Sequence, residues 1–284
     1  MRGIHLDSDQ RLRFDVAGHT DIGAVRKANE DSVDWYLSPS RETALAVVAD
    51  GMGGHAGGAK ASQMAIEVFV ATLAMPLASK KLIDLERLRG ALYTAAEQAH
   101  ESICQARSEQ PEYGKMGTTL VALWAQNHQA SILHVGDSRC YRIRPQGQNT
   151  RMEQLTRDDS VVQSMVEDGT ISAEEAELSP YRNMLTQAVG SDGGIIVHQM
   201  DVDVEPGDLY LLCSDGLYNE LSSGDVLQIL QAEGALIELT ESEADQPEPN
   251  LKRISFKLAE AAKAAGGHDN ISVILLRAVR EGSE

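Results

Sequence analysis

The sequence predicts an α+β protein in which helices pack against the outside of β-sheets. Two patterns predict this class: short apolar runs typical of buried strands, and longer segments with apolar residues three and four positions apart, typical of amphipathic helices. The strand-like runs cluster in the middle and at the end of the 284-residue chain, and the helical segments come mainly in pairs. This order favours layered sheets and helices over a regular alternation of strand and helix.

The apolar runs and the helical spacing give each element in turn. Apolar runs predict buried strands at residues 44–49, 119–125, 131–135, 139–143, 209–213 and 271–276. Weaker alternation of apolar and polar residues predicts further strands at 14–17 and 195–204. Helical spacing predicts helices at 59–73, 85–103, 223–232 and 251–265. Residues 156–190 are polar and lack strand signals, which predicts a mobile insert, and residues 240–250 predict a surface loop.

The composition argues against several classes of protein. The chain is 42% hydrophobic and carries a net charge of -18. This charge argues against nucleic acid or an anionic membrane surface as the main partner, because both reward clustered Lys and Arg. No apolar run approaches the roughly 18 residues of a membrane span, and residues 1–15 lack the apolar core of a signal peptide. We therefore expect a cytoplasmic protein, and nothing in the sequence demands more than a monomer.

The three cysteines fit the same expectation. Cys104, Cys140 and Cys213 are widely spaced, and two of them lie in apolar stretches, where cysteine usually behaves as a small hydrophobic residue. We expect all three to be structural.

Acidic residues stand next to the predicted strands. Aspartates follow the strands at 44–49, 131–135 and 209–213 within two residues, and another precedes the strand at 271–276. The acidic residues in this set, with two more near the N-terminus, are Glu30, Asp31, Asp50, Asp137, Asp215 and Asp269. If these side chains converge, their mutual repulsion requires bound cations or shifted pKa values.

Each aspartate alone has a simpler explanation as a turn residue, since Asp-Gly and Asp-Asn favour turns. After Asp50-Gly51 and Asp215-Gly216, however, the chain enters helical segments with no partner strand at hairpin spacing. Oxygen ligands without clustered cysteine or histidine favour Mg²⁺ or Mn²⁺. A pair of such ions suits the hydrolysis of phosphate esters. A metal-binding structural protein, with carboxylates serving stability alone, is the competing interpretation.

At these residues the sequence resembles the PPM family, the metal-dependent type 2C serine/threonine protein phosphatases, and within it the bacterial branch. The matching segments occur in family order and together span most of residues 18–276. They are TDIGAVRKANED at 20–31, VADGMGGH at 48–55, GTT at 117–119, GDSR at 136–139, SDGL at 214–217 and DNIS at 269–272. The resemblance implies a β-sandwich of two antiparallel sheets flanked by helix pairs, a four-layer αββα arrangement. It further implies a single domain over residues 1–284, with its core at 14–280 and a flap-like insert at 156–190.

The resemblance also implies the metal ligands. Asp50 would bridge two ions, and the carbonyl of Gly51 would bind one of them. Asp215 and Asp269 would hold the other ion. Asp137, together with Asp215, matches the place of a third, weaker ion in bacterial members.

The remaining roles follow from the same resemblance. Glu30 would act through a coordinated water with Asp31 in support, and Asn270 would orient the neighbouring Asp269 or the loop. Arg26 matches the arginine that grips the substrate phosphate, a task for which its planar fork is suited. The residues expected to carry catalysis are Arg26, Asp50 and Asp215.

The implied activity is hydrolysis of phosphoserine and phosphothreonine in proteins by water that two Mn²⁺ or Mg²⁺ ions activate. The implied partners are phosphorylated proteins, with a cognate Ser/Thr kinase or its targets among them. The alternative is a catalytically silent regulatory or binding module of the same fold.

The sequence departs from the family pattern at three positions. Animal members carry histidine, proposed as a general acid, where this chain has Met52, which cannot donate a proton. In the flap-like segment, Asp159 and Ser179 stand where relatives often have histidine, whereas Arg182 and Asn183 match.

A glycine-rich stretch at 53–60 lacks the Gly-Lys-Ser/Thr ending of a P-loop, which argues against nucleotide binding of that kind.

Overall fold

Two antiparallel β-sheets pack face to face at the centre of the structure, a computed structural model that describes residues 11–53, 56–79, 82–146, 150–236 and 249–280. In order across the first sheet, the strands are β1 (Leu12–Asp21), β11 (Ile271–Arg280), β10 (Leu209–Cys213), β7 (Arg139–Arg144) and β8 (Arg151–Gln154). Across the second sheet they are β2 (Asp31–Leu37), β3 (Thr43–Met52), β5 (Leu120–Gln126), β6 (Gln129–Val135) and β9 (His198–Asp203). The short strand β4 (Gly117–Thr118) also pairs with β3.

Helices cover the outer face of each sheet. The second sheet packs against α1 (Ala56–Leu77) and α2 (Leu85–Glu109). The first sheet packs against α5 (Asp215–Tyr218), α6 (Ser223–Ala232) and α7 (Leu251–Ala265). The described residues therefore form four layers, αββα. The two-sheet fold and the α+β class predicted from the sequence are confirmed.

None of the described helices has the length and apolar character needed to span a membrane.

The apolar strands owe their character to burial on both faces. In β3, Leu45 and Val47 pack under the helices, whereas Ala46 and Val48 face the opposite sheet. Successive side chains of a strand point to opposite faces, so a strand between two layers must be apolar at every position. This is why the central strands were visible in the sequence as unbroken apolar runs.

Two of the strands that the sequence patterns did not predict, β2 and β8, lie at the sheet edges. Strand β2 buries one of its seven residues fully, and β8 buries none. Edge strands carry polar side chains, so neither strand produces an apolar run.

The segment at 156–190 contains two short helices that the sequence patterns did not predict. They are α3 (Val161–Glu167) and α4 (Ala173–Glu177), capped by Ser160 and Ser172. Most of the loop predicted at 240–250 lies outside the described residues.

Candidate active site

A cavity of about 340 Å³ opens where strands of both sheets end. Its wall consists of Arg26, Glu30, Asp50, Gly51, Met52, Gly53, Thr119, Asp137, Asn183, Leu185, Asp215, Asp269 and Asn270. Every predicted site residue except Asp31 is in this wall. The structure thus brings together residues from the β1–β2 loop to the start of β11.

Strand ends and turns place the carboxylates. Asp50 lies near the end of β3, and Asp137 follows β6 after one glycine. Asp215 is the first residue of α5, two positions after the end of β10. Asp269 lies two positions before the start of β11. In the second sheet, β3 and β6 lie on either side of β5 and run in the same direction, so their ends meet at one edge. In the first sheet, the end of β10 lies beside the start of its antiparallel neighbour β11.

Asp31 lies behind the wall, directly opposite Asp50 in the β2–β3 pairing. It is buried, and Ser214 Oγ donates a hydrogen bond of 2.8 Å to Asp31 Oδ2. The amide of Ser272 donates in turn to Ser214 Oγ over 3.0 Å. Burial raises the pKa of Asp31 to about 6. Its surroundings fit the supporting part of the predicted role.

Burial and crowding both raise carboxyl pKa values in the wall. For Asp50, burial raises the pKa well above its usual value, and the charges of Asp31 and Asp215 add to the shift. Burial, followed by the charge of Asp137, also raises the pKa of Asp215 well above its usual value. Burial and then the charge of Asp158 raise the pKa of Asp137 to about 7. Positive charge in the cavity would relieve this crowding.

The donors of the wall fit hard divalent cations. Oxygen atoms predominate, and Oδ1 of Asp215 is buried with no hydrogen-bond partner. Arg26 is the single basic residue among the described wall residues. In the described part of the chain, no three Asp, Glu, His or Cys side chains are arranged to hold an ion as they stand. Mg²⁺ commonly keeps several waters and is often bound through one or two carboxylates, so a preformed group of three is not required.

Asn270 fixes the loop that carries Arg26 and Glu30. Its Nδ2 donates to the carbonyls of Ile22 and Ala28 over 2.9 and 3.0 Å. Its Oδ1 accepts from the amide of Glu30 over 2.8 Å. The loop is thus tied to the residue that precedes β11.

Arg26 and Asp269 form an ion pair across the cavity rim, through Nη2 and Oδ2. Partial burial opposes ionisation of Arg26, but the negative charge of Asp269 outweighs it and raises the pKa of Arg26. The predicted phosphate-binding residue therefore sits beside a predicted metal ligand.

Two glycines let Glu30 reach the cavity. A Cβ atom on Gly58, in the first turn of α1, would lie 2.0 Å from Glu30 Oε2. A Cβ atom on Gly51 would lie 2.2 Å from the carbonyl oxygen of Gly58. Only glycine permits this approach of β3, α1 and the Glu30 carboxylate.

Thr119 lies in the matching segment 117–119, but the sequence gives no signal for a role of its own. The amide of Asp50 donates to Thr119 Oγ1 over 2.9 Å, and the same hydroxyl lies 2.7 Å from Ser138 Oγ. Thr119 thereby connects the strand of Asp50 with the turn of Asp137. Leu185 was also missed, and an isolated leucine in a polar segment gives no signal for it.

A cavity lined by five carboxylates and one arginine, set at strand ends of a two-sheet sandwich, is typical of an enzyme that acts on phosphate groups with divalent cations. Comparison with known proteins identifies the family. The family model described as Protein phosphatase 2C matches residues 23–252. The chain belongs to the protein phosphatase 2C family.

The relatives agree with this assignment. The chain is 33% identical over 257 residues to "Serine/threonine phosphatase stp" of Listeria innocua, covering 90% of this chain and 93% of that protein. It is 34% identical over 273 residues to "Serine/threonine protein phosphatase PstP" of Mycobacterium tuberculosis, covering 93% of this chain but 44% of that protein. The prediction of a bacterial-type serine/threonine phosphatase is confirmed at this level.

A solved structure gives the same fold. It is the catalytic domain of the phosphatase PstP in complex with two manganese ions. The two chains are 32% identical with a TM-score of 0.73, and the match covers 94% of this chain and 99% of that one.

Proposed function

We propose that this chain hydrolyses phosphoserine and phosphothreonine in proteins, using water activated by a pair of divalent cations. The observation that carries the proposal is the convergence of Arg26 with five carboxylates in one cavity. Crowding so many acidic groups is costly unless they hold cations, and perturbed carboxyl groups in a cleft mark functional sites.

The wall supplies the ligands for these cations. Asp50 and the Gly51 carbonyl would hold one ion. Asp50, Asp215 and Asp269 would hold the other. Glu30 would act through a coordinated water. When bound, the pair supplies a water of lowered pKa and positive charge beside the phosphoryl oxygens. Either Mn²⁺ or Mg²⁺ suits these oxygen donors.

Further residues serve the same centre. Asp31 supports Asp50 from behind the wall, where Ser214 binds its carboxylate. Asn270 supports the loop of Arg26 and Glu30. Asp137 and Asp215 would form a third, weaker ion site.

Arg26 would bind and orient the phosphoryl group. Its planar fork offers five N–H donors, and the contact with Asp269 engages Nη2. The remaining donors can bind two phosphoryl oxygens and hold phosphorus in line between the attacking water and the leaving alcohol.

Direct attack by water is favoured over a covalent intermediate on a serine or threonine hydroxyl. Among the described wall residues, the one hydroxyl belongs to Thr119, which already accepts from the Asp50 amide and contacts Ser138. Met52 cannot protonate the leaving oxygen, and we infer that water in the cavity supplies that proton.

The wider setting is part of the proposal. We infer that residues 1–284 form one domain with a flap-like segment at 156–190, acting as a cytoplasmic monomer. Its substrates would be proteins phosphorylated by a cognate Ser/Thr kinase, or the kinase itself. The negative charge of -18 supports the expectation that nucleic acid and anionic membrane surfaces are not partners.

The variant Asp50→Asn tests the proposal. It removes the shared ligand, so turnover of a phosphothreonine peptide with saturating Mn²⁺ should fall by more than about 100-fold, beyond the effect typical of outer-shell partners. The circular dichroism spectrum should be unchanged, and Asp34→Asn on β2 should retain activity. Wild-type turnover in Asp50→Asn would refute the assignment. Inactivity of the wild-type protein with both Mn²⁺ and Mg²⁺ would favour the silent-module alternative.

A further inference from the structure

Asp159 is a buried carboxylate to which the reaction gives no role. It lies at the start of the segment 156–190 and is 4% exposed. Gly136, the residue before Asp137, donates its amide to Asp159 Oδ2 over 2.9 Å. The amide of Asp159 donates back to the Gly136 carbonyl over 3.0 Å. Asp159 thus binds both polar groups of Gly136.

A histidine pair holds the other side of this carboxylate. His198 Nε2 on β9 lies 3.1 Å from Asp159 Oδ1. The His198 ring stacks on His134 of β6, with ring centroids 5.0 Å apart and an interplanar angle of 21°. His134 Nε2 lies 2.8 Å from the carbonyl oxygen of Arg157, two residues before Asp159. The carboxylate is therefore fixed from the side of the sheet.

The turn that Asp159 binds has little freedom. Gly136 has a φ of +98°, and a Cβ atom there would lie 2.7 Å from Thr119 Cγ2. Thr119 therefore limits the turn on one side and Asp159 binds it on the other. Since Asp137 is the next residue, its position depends on this turn.

Asp159 also binds the opposite end of its own segment. Its carbonyl accepts from the amide of Thr186 over 2.8 Å, and Ser160 pairs with Leu185 as a β-bridge. Leu185 and Asn183 belong to the cavity wall. One residue thus connects the Asp137 turn with the wall contributed by the segment 156–190.

We propose that Asp159, held by His198, is a positioning residue that fixes Asp137 relative to the wall residues Asn183 and Leu185. Its consequence for catalysis rests on the proposed function, whereas its effect on the turn does not. Because Asp137 would belong to the weaker ion site, loosening the turn weakens ion binding there without removing any ligand.

Amide hydrogen exchange in the metal-free protein tests the positioning directly. In Asp159→Ala the Gly136 amide loses its acceptor, so its exchange should accelerate by about 10–100-fold, the equivalent of one lost buried hydrogen bond. Amides of β5 serve as internal reference and should be unchanged, which separates a local effect from general destabilisation. Asp168→Ala, an exposed aspartate in the same segment, is the matched control.

Two milder variants keep the test decisive if Asp159→Ala does not fold. Asp159→Asn retains an oxygen for the Gly136 amide but loses the charge, so exchange should be faster than in the wild-type protein by less than about 10-fold. His198→Ala leaves the carboxylate in place but unsupported, and should also accelerate exchange at Gly136. Wild-type exchange at Gly136 in both His198→Ala and the folded Asp159 variants would overturn the proposal.

Mn²⁺ binding supplies the second readout. Calorimetric titration should show weaker binding at the lower-affinity step in Asp159→Ala, with the tighter step unchanged, and half-maximal activity should require several-fold more Mn²⁺. A loosened turn with unaltered Mn²⁺ binding and Mn²⁺ dependence would contradict the link to Asp137. If the wild-type protein had no phosphatase activity, the proposed function would fail while the exchange comparison still decided the role of Asp159.

Discussion

At the scale of single residues, the cavity is governed by carboxylates that resist ionisation. Burial and like charges raise the pKa values of Asp31, Asp50, Asp137 and Asp215. Each pKa unit corresponds to ~1.4 kcal/mol, so ionising the set in the metal-free chain opposes folding substantially. Divalent cations would stabilise the ionised carboxylates and so offset this repulsion, since metal ligands must be deprotonated.

This crowding predicts a pH dependence of stability. The folded pKa values of about 6 for Asp31 and about 7 for Asp137 lie above the ordinary aspartate value of 3.8. Between these limits the folded state binds more protons than the unfolded state. The contribution of Asp31 and Asp137 to the free energy of unfolding is therefore fully present below pH 3.8. It is lost progressively as pH rises from there through their folded pKa values of about 6 and about 7.

Urea denaturation of the metal-free protein at pH 5 and pH 8 measures this effect. Asp137→Asn should lessen the loss of stability between the two pH values, and Mn²⁺ should stabilise the wild-type protein more at pH 8 than at pH 5. Equal pH slopes for Asp137→Asn and the wild-type protein would show that Asp137 titrates normally.

Arg26 gives a second prediction at this scale. Arg26→Lys keeps the charge but loses the planar fork, and with it one charge-assisted hydrogen bond to the phosphoryl group. Such bonds contribute about 1.5–3 kcal/mol, so kcat/KM for a phosphothreonine peptide should fall by roughly 10–100-fold. The exposed neighbour Lys27 is the control, and Lys27→Ala should have near wild-type kinetics. A fully active Arg26→Lys would exclude bidentate binding.

At the scale of elements, burial decided which strands and helices the sequence revealed. The central strands, buried on both faces, give apolar runs, and the long helices show a regular apolar face. The edge strand β8 has no fully buried residue and gives no such signal. Helices α3 and α4 are too short for a periodic pattern, although their serine caps are visible in the sequence.

Capping provides a prediction for one element. In α6, the amide of Asp225 donates to Ser222 Oγ over 3.2 Å, and the amide of Ser222 donates to Asp225 Oδ2 over 3.0 Å. Ser222→Ala should destabilise the protein by about 1 kcal/mol and lower Tm by about 2 °C. Activity should be unchanged, because α6 does not reach the cavity wall. Ser223→Ala is the control, and an equal loss in both variants would contradict the cap.

At the scale of the whole molecule, the site depends on contacts between distant parts of the chain. Strand-end aspartates such as Asp50 and Asp215 could be predicted, because an acidic residue after an apolar run is visible locally. The burial of Asp31 could not, since its partner Ser214 is 183 positions away in the sequence. The contact of Asp159 with Gly136 likewise exists only once β6 and the segment 156–190 are packed together.

The central claim is that carboxylates from these distant segments hold divalent cations in one cavity. Anomalous diffraction at the manganese edge, from crystals soaked in Mn²⁺, tests it most directly. We predict two strong peaks in the cavity, each within coordination distance of Asp50, with Asp215 and Asp269 beside one of them. A map without peaks in this cavity, from crystals of protein that is active with Mn²⁺, would contradict the account.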